Sequence, residues 1–282
     1  MSPVSCASAA EARGFESMFF PDHTHVPLAS VTASTSGEEV PMFYRTVMDP
    51  IATLGAVAAT TTSIRIGTAI ALVTERDPII LAKQIATIDH LSGGRVIFGV
   101  GAGSNEHELR NHGTDPRTRF VVLRERLEAM TAIWRDDIAS YTGQFVNFDD
   151  LWSWPKPVQR PRPPILLGGG GPTVLDRVVE YADGWMPFRA GTEQVLDCPQ
   201  GHEEPFERQL AHRIHVLGQR ARRAGRRAPS VTLFNPLPHH DALCRYAHYG
   251  VDRVVFWLPT AKAEVLLPTL DALAALGSNL TR

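Results

Sequence analysis

The stretch HLSGGRVIFGVGAGSNEHE, from His90 to Glu108, decides between two kinds of α/β fold. Its five glycines suggest a nucleotide-binding loop, but a dinucleotide fingerprint needs G-x-G-x-x-G between a strand and a helix. Counting from Gly99 puts Ser104 in the third glycine position, and counting from Gly101 puts Glu106 there. The segment therefore reads as a buried strand, RVIFGV, whose carboxyl end opens into a glycine-rich loop. That loop is either a ligand site or a tight turn.

Composition indicates an ordinary globular protein. The 282 residues are 44% hydrophobic, which is enough to bury the core of a large α/β domain, and we expect a single domain over residues 1–282. The net charge of −2 gives no electrostatic reason to expect nucleic acid as a partner. No apolar run approaches the ~18 residues of a membrane span, and the N-terminus lacks the features of a signal peptide, so we expect a cytoplasmic protein without a membrane partner.

Outward from this strand, short apolar runs alternate with segments of helical period, which predicts parallel strands joined by crossover helices. The predicted strands are Ser17–Phe20, Ile64–Ala71, Val96–Val100, Ile165–Leu167, a short one at Trp185, Val231–Phe234 and Arg253–Leu258. The first predicted helix ends at Arg13. The other predicted helices are Asp49–Thr60, Pro78–Leu91, Arg117–Trp134, Pro172–Ala182, Glu203–Ala224, His239–Tyr249 and Ala261–Leu276.

These seven strands, each followed by a helix, fit two architectures. The length is typical of a (β/α)8 barrel, and because the chain begins within the first helix, we expect the first barrel strand to be missing. A doubly wound sheet of seven strands fits the count equally well. Three connections, His23–Met48, Ala102–Pro116 and Ile138–Pro164, are longer than usual, and long loops in compact domains are often functional.

The segment FFPDHTH, residues 19–25, ends a predicted strand with polar side chains. A histidine at the carboxyl end of a parallel strand lies where such folds bind ligands, and its ordinary pKa of ~6.5 suits proton transfer. Asp22 and His23 are therefore candidate catalytic residues. The alternative is a polar strand end hydrogen-bonded to its own turn.

The segment LLGGGGP, residues 166–172, puts four glycines between a strand and a helix. Glycine backbone and the unpaired N–H groups of a helix start form anion sites, most often for phosphate. We interpret Gly168–Gly171 as a phosphate loop, with a merely flexible loop as the alternative.

A metal site is not expected. His240, Cys244 and His248 recur at four-residue spacing on one predicted helix, but no carboxylate or fourth ligand accompanies them at clear spacing. The three cysteines, Cys6, Cys198 and Cys244, are far apart and form no C-x-x-C pair, so neither a disulfide framework nor a thiolate site is indicated.

Several motifs together resemble the luciferase-like monooxygenase superfamily, in particular its actinobacterial branch of oxidoreductases that depend on the deazaflavin coenzyme F420. They are PDH, IRIGTAI, LAKQIATIDHLSGGRVIFGVGAG followed by NE, and LLGGGGP with YADGW, and the resemblance runs from about Glu11 to Leu258. It implies a (β/α)8 TIM barrel that holds the cofactor at the carboxyl ends of its strands. The glycines after the opening strand would then let a cofactor lie close to the backbone.

The resemblance also implies residue roles. A bulged strand under the flavin ring corresponds to Thr68, Ala69 and Ile70, and the glycine loop contributes Gly101 and Asn105. The phosphate loop corresponds to Gly168, Gly169, Gly170 and Gly171. Asp22 and His23 match the polar end of the second strand. The sugar-phosphate dehydrogenases of the superfamily carry an acidic residue where this chain has Ala102 and a tryptophan where it has Pro27, so the resemblance does not carry over that chemistry.

The expected function is hydride transfer between a small organic substrate and coenzyme F420, with His23 as proton donor or acceptor and Asp22 orienting it or the cofactor. One alternative is an FMN-dependent monooxygenase that uses molecular oxygen and a reductase partner. Another is a cofactor-binding barrel without turnover. Because members of the superfamily are often dimers, a homodimer is expected.

Overall fold

The computed structural model describes residues 1–28, 30, 42–189 and 205–278. The helices of these parts are α1 (Pro3–Glu11), α2 (Met42–Arg45), α3 (Pro50–Thr60), α4 (Pro78–Leu91), α5 (Glu106–Asn111), α6 (Arg119–Arg135), α7 (Val174–Tyr181), α8 (Pro205–Arg223), α9 (His240–Tyr249) and α10 (Ala263–Ser278). The strands are β1 (Ser17–Phe20), β2 (Arg65–Thr68), β3 (Ala71–Leu72), β4 (Val96–Gly101), β5 (Ala139–Thr142), β6 (Asn147–Leu151), β7 (Ile165–Gly168), β8 (Gly184–Met186), β9 (Ser230–Phe234) and β10 (Arg253–Val255).

The chain divides into two compact units, which we name the central unit (Phe19–Pro163) and the flanking unit (Met1–Met18 with Pro164–Arg282). In the central unit β2 and β3 both pair in parallel with β4. The 3₁₀ turn Val73–Glu75 follows β3 directly. In the flanking unit β7, β8, β9 and β10 pair in that order, all in parallel. The prediction of one domain over the whole chain stays a prediction.

The core of the central unit forms around β4, all six residues of which are buried. The ring of Phe98 meets the indole of Trp134 edge-on, with centroids 6.2 Å apart. The indole nitrogen of Trp134 donates to the carbonyl of Ala82 at 2.9 Å, which satisfies its polar atom in the apolar interior. Helices α4 and α6 are thus fastened to each other through the core.

The sequence explains why the main crossover helices begin where they do. Helix α3 starts with Pro50 and α4 with Pro78, a residue suited to the first helical position. The preceding aspartates, Asp49 and Asp77, each accept a hydrogen bond from a backbone N–H of the first turn at 2.9 Å.

Most predicted elements are present, with shifted ends. The predicted strand Ile64–Ala71 is divided into β2, which ends at Thr68, and β3, which begins at Ala71, and the strand predicted to end at Leu258 ends at Val255. Helix α7 begins at Val174, not at Pro172. The described residues before Ser17 form helix α1 and no strand, as predicted.

All three long connections contain regular structure that the sequence pattern did not predict. The segment Ala102–Pro116 includes the six-residue helix α5, which is too short to show helical periodicity. The segment Ile138–Pro164 includes the antiparallel pair of β5 and β6. In the first connection, His23–Met48, the four-residue helix α2 was also missed, and residues 29 and 31–41 lie outside the described part.

No helix among the described residues combines the length and the apolar character that crossing a membrane requires.

Candidate functional site

The polar end of β1 lies at the centre of a group of charged side chains in the central unit. Asp22, 2% exposed, accepts hydrogen bonds from Nε and Nη2 of Arg76 at 2.9 and 2.7 Å. It also accepts the backbone N–H of Leu72 at 2.9 Å, and Arg76 in turn reaches Asp49 at 2.9 Å. These bonds tie the end of β1 to the segment that follows β3, and charge-assisted bonds of this kind fix a carboxylate firmly.

His23 is hydrogen-bonded to a buried carboxylate. Its Nδ1 lies 3.0 Å from Oε2 and 3.3 Å from Oε1 of Glu108, whose side chain is 1% exposed. The rings of His23 and Tyr44 lie nearly perpendicular to each other, with centroids 5.0 Å apart. A carboxylate only accepts hydrogen bonds, so in the tautomer that fits this contact Nδ1 carries the proton and Nε2 keeps its lone pair. The pair has the arrangement of an imidazole base with its orienting acid.

The short helix α5 brings Glu108 to His23, and Asn105 starts that helix. The side-chain carbonyl of Asn105 accepts the backbone N–H groups of His107 and Glu108 at 3.1 and 3.3 Å, as an N-cap residue does. It also accepts the hydroxyl of Ser30 at 2.8 Å. Asn105 thus positions the carboxylate that pairs with His23. Its predicted role in cofactor binding stays a prediction.

Two acidic residues of this group were missed by sequence reasoning. Glu108 lies in a segment assigned to a loop, where no pattern reveals which side chain turns inward. Glu75 ends the 3₁₀ turn and is buried, and burial, followed by the nearby carboxylates of Glu108 and Asp22, raises its pKa to about 8. The one available signal was TERD at 74–77, two acids around an arginine after an apolar run.

The predicted flavin-supporting segment lies beside the glycine loop. Thr68 is fully buried and donates its hydroxyl to the carbonyl of Gly99 at 2.6 Å. The N–H of Ala69 donates to the carbonyl of Phe20 at 2.8 Å. A Cβ at Gly101 would overlap Cδ1 of Ile70. A larger residue at the end of β4 would therefore require the side chain of Ile70 to move.

In the flanking unit, two glycines after β7 accept hydrogen bonds from an arginine. Arg213, on α8, donates to the carbonyls of Gly170 and Gly171 at 2.6 and 2.9 Å, and its guanidinium lies 4.8 Å from the ring centroid of Trp185. Trp185 donates its indole N–H to the carbonyl of Gly169 at 2.8 Å. A Cβ at Gly170 or at Gly171 would meet open space, so these two glycines leave room above the loop.

Arg213 is a further residue that sequence reasoning missed. It lies more than forty residues from the loop in sequence, within a helix of many arginines. Its guanidinium supplies positive charge at a loop that the sequence assigns to phosphate. Burial, and then the charge of Arg220, lowers the pKa of Arg213, as expected for a cation that has lost part of its hydration.

Among the described residues, no three histidine, cysteine, aspartate or glutamate side chains converge as metal ligands would. On α9, Sγ of Cys244 lies 3.7 Å from Nδ1 of His240, and Cys244 is exposed. Cys198 lies outside the described residues.

Comparison with known proteins gives relatives along the whole chain. An uncharacterized protein of Mycobacterium tuberculosis is 39% identical over 280 residues, which is 98% of this chain and 93% of that protein. An F420-dependent glucose-6-phosphate dehydrogenase of Amycolatopsis mediterranei is 32% identical over 140 residues, 48% of this chain and 41% of the enzyme. An FMNH2-dependent dimethylsulfone monooxygenase of Pseudomonas putida is 35% identical over 112 residues, 39% of this chain and 31% of the enzyme.

The solved structures give the fold. The crystal structure of monooxygenase RslO1 from Streptomyces bottropensis matches with a TM-score of 0.79 at 16% identity, over 99% of this chain and 93% of that one. The predicted luciferase-like TIM-barrel fold class is confirmed. The family profile described as luciferase-like monooxygenase matches residues 3–197. On this match and the relatives along its length, the chain belongs to the luciferase-like monooxygenase family.

Proposed function

We propose that this protein is an oxidoreductase that transfers a hydride between a small organic substrate and coenzyme F420. The observation that carries the proposal is the imidazole of His23 hydrogen-bonded through Nδ1 to the buried Glu108. Hydride transfer to or from a carbon that bears oxygen needs a proton donor or acceptor at that oxygen. An oriented imidazole at the end of a barrel strand can serve as one.

The protein's part in the reaction is to hold and move that proton. In the oxidation direction Nε2 of His23 takes the proton of a substrate hydroxyl, and the imidazolium that results is stabilised by the carboxylate of Glu108 at 3.0 Å. In the reduction direction Nε2 returns it. Asp22 is tied by Arg76 and Leu72, and it holds the preceding strand end in place for His23.

The residues present fit a phosphate-bearing deazaflavin. When bound, the coenzyme supplies the carbon that accepts or gives the hydride. Gly170 and Gly171 leave open space beside the guanidinium of Arg213, a combination suited to an anionic group. In the central unit, the segment Thr68–Ile70 and Gly101 would support the ring system. The F420-dependent relative from Amycolatopsis mediterranei supports this choice of cofactor.

A substrate screen with matched variants tests the proposal. Wild-type protein with oxidised F420 is mixed with a panel of alcohols and other hydrogen donors, and loss of the deazaflavin absorbance is followed. We expect turnover with at least one class, reduced about 10²-fold or more in His23→Asn. The control is His215→Asn, on α8 in the flanking unit, where the exposed imidazole bonds to the side chain of Gln219. Equal rates in both variants would remove His23 from the reaction.

The second candidate is an FMN-dependent monooxygenase, and the sequence match to the dimethylsulfone monooxygenase favours it. That enzyme class consumes molecular oxygen and needs a supply of reduced flavin. Oxygen uptake coupled to reduced FMN, without F420 turnover, would select this candidate. Tight cofactor binding with no turnover of either kind would select a non-catalytic cofactor-binding protein.

A further inference from the structure

Three aromatic side chains lie together where the strands of the flanking unit end. Phe188 follows β8, Phe234 is the last residue of β9, and Trp257 follows β10. The ring centroids of Phe188 and Phe234 are 5.6 Å apart, and those of Phe234 and Trp257 are 5.7 Å apart. We call these three residues the aromatic cluster.

The aromatic cluster lies at the carboxyl edge of the sheet. The strands β8, β9 and β10 pair in parallel, so their carboxyl ends meet at one edge, which is where parallel α/β folds bind ligands. Phe188 is 53% exposed, and Phe234 and Trp257 are partly exposed. The cluster therefore offers apolar surface that a ligand at this edge can cover.

Phe188 and Phe234 are on the face of the sheet that is turned away from helix α8. The ring of Trp185, on β8, lies 4.8 Å from the guanidinium of Arg213, so Trp185 faces that helix. Side chains alternate between the faces of a strand, which places Phe188 on the opposite face from Trp185. Phe234 is the bridge partner of Phe188 and shares its face. The helix that covers Trp185 thus does not cover these two rings.

Hydrogen bonds fix the backbone beneath the aromatic cluster. The N–H of Phe234 donates to the carbonyl of Pro187 at 2.9 Å, and the N–H of Arg189 donates to the carbonyl of Phe234 at 3.1 Å. Asn235 is buried with φ at 58°, a left-handed conformation that asparagine tolerates better than most residues. Its N–H donates to the carbonyl of Val255 at 2.8 Å, and its side-chain amide donates to that of Arg189 at 3.1 Å. Asn235 therefore ties three strand ends together.

The next layer of side chains on this face is polar, and its charges cancel. Thr232, two residues before Phe234, is fully buried and accepts a hydrogen bond from Arg253 at 3.2 Å. Arg253 also donates to both carboxylate oxygens of Glu16, at 2.7 and 2.8 Å. The charges in this layer therefore favour neither an anion nor a cation above it.

The relative orientation of the rings suits a flat aromatic ligand. The planes of Phe188 and Phe234 are 30° apart, whereas those of Phe234 and Trp257 are 88° apart. The cluster thus presents both a face for offset stacking and a ring set edge-on. An aromatic ligand gains from such contacts in addition to the area that it buries, and a saturated ring of similar size gains from the area alone.

We propose that the aromatic cluster is a subsite for an uncharged aromatic ring of the substrate, so that the substrate class is aryl alcohols and aryl ketones. The reacting hydroxyl or carbonyl rests on the proposed function, and the ring rests on the cluster. Phe188, the most exposed of the three residues, contacts the ring. Asn235 is a positioning residue, because it acts through the backbone of the cluster.

The first test uses the protein without cofactor, so it does not depend on hydride transfer. Ligand-observed NMR titrations compare acetophenone with cyclohexyl methyl ketone, which has the same carbon skeleton but a saturated ring. We expect acetophenone to bind about two- to tenfold more tightly. Phe188→Leu should remove this preference and still bind cyclohexyl methyl ketone. The control is Phe145→Leu, in the turn between β5 and β6, where the phenylalanine is 41% exposed.

Three results would each overturn the proposal: no binding of acetophenone, equal affinity of the wild type for both ketones, or an unchanged preference in Phe188→Leu. Because Phe188 is half exposed, its replacement by leucine should leave the fold intact, which circular dichroism checks. A titration with F420 separates a substrate subsite from a cofactor contact. We expect Phe188→Leu to bind F420 as the wild type does, and a parallel loss of F420 affinity would assign the cluster to the cofactor instead.

Turnover with F420 gives a second measurement. The ratio of kcat/KM for 1-phenylethanol to that for 1-cyclohexylethanol should fall about two- to tenfold in Phe188→Leu. His23→Asn should slow both alcohols and leave their ratio unchanged. An unchanged ratio in Phe188→Leu would contradict the subsite. Absence of turnover with any alcohol would count against the proposed function, and the binding preference measured without cofactor would still decide the subsite.

Discussion

At the scale of single residues, the clearest feature of this protein is an imidazole whose orientation is set by one buried carboxylate. Glu108→Gln keeps the shape of the side chain but removes the charge that would stabilise imidazolium at His23. We expect kcat to fall about 10²-fold, with a smaller change in KM. The measurement is steady-state turnover with the substrate found by screening.

The same helix offers a matched control for this prediction. Glu106 is two residues earlier, half exposed, and paired with Arg110 at 2.8 Å. Exposed pairs of this kind contribute little to stability, so Glu106→Gln should retain wild-type turnover. If both glutamine variants lost activity equally, the loss would reflect α5 as a whole, and the special role of Glu108 would be wrong.

The sequence predicted only part of this residue-scale picture. His23 and Asp22 were found because they follow a strand in a recognisable motif, and the structure places both in the polar group. Sequence reasoning did not find Glu75, Glu108 and Arg213. The role of each depends on burial in the folded chain or on a partner far away in sequence. For Arg213 the partner is a glycine carbonyl 43 positions distant.

At the scale of elements, the glycines of the central unit divide into required and replaceable ones. A Cβ at Gly67, in β2, would lie 2.5 Å from the carbonyl oxygen of Ile97 and 2.7 Å from the ring of Phe19. Gly67→Ala should therefore lower the free energy of unfolding by about 1–3 kcal/mol.

For Gly55, in the middle of α3, we predict that alanine has the opposite effect on stability. A Cβ there would meet nothing within 4 Å, and alanine has the higher helix propensity. Gly55→Ala should raise the free energy of unfolding by about 0.5–1 kcal/mol. Chemical denaturation of both variants checks the pair. A stabilised Gly67→Ala would contradict the packing around β2.

The hairpin of β5 and β6 depends on a charge in a neighbouring helix. Glu125, on α6, accepts the backbone N–H groups of Gln144, Phe145 and Val146 at 3.0, 2.7 and 3.1 Å. Burial acts to raise the pKa of Glu125, but these three donors, together with the charge of Arg124, outweigh it and the pKa is lowered. The stabilisation is thus present above the ordinary pKa of about 4.5 and is lost as the pH falls through the lowered value.

Glu125→Gln replaces that carboxylate with an amide that accepts less strongly and cannot serve three donors as well. We expect it to cost about 1–3 kcal/mol of unfolding free energy at neutral pH, with faster amide hydrogen exchange at residues 144–146. Glu128→Gln, which alters an exposed bond to Tyr141, is the control. Equal exchange in both variants would show that Glu125 does not hold the turn.

At the scale of the whole molecule, the order of elements was predictable because it depends on repeated apolar periodicity. The long helices α4, α6 and α8 and the buried strand β4 follow from pattern alone. The pattern alone does not distinguish a barrel from an open sheet, since both have the same alternation of strands and helices. That choice came from family motifs. The hairpin and α5 were missed because each is shorter than the window in which periodicity can be read.

The pH dependence of global stability gives a test that spans the molecule. Since the pKa of Glu75 is raised from 4.5 to about 8, the folded protein binds this proton more tightly than the unfolded chain does. The corresponding stabilisation is complete below about pH 4.5 and declines as the pH rises towards and through about 8. Glu75→Gln should remove this decline, so the difference in Tm between variant and wild type should grow with pH. Parallel curves would mean that Glu75 titrates normally.

Cofactor binding decides whether this member of the luciferase-like family works with the deazaflavin, as we propose. Purified protein is titrated with F420 and, separately, with FMN, and quenching of cofactor fluorescence is followed. We expect micromolar or tighter binding of F420, with FMN bound at least about tenfold more weakly. Preference for FMN, or binding of neither cofactor, would contradict it.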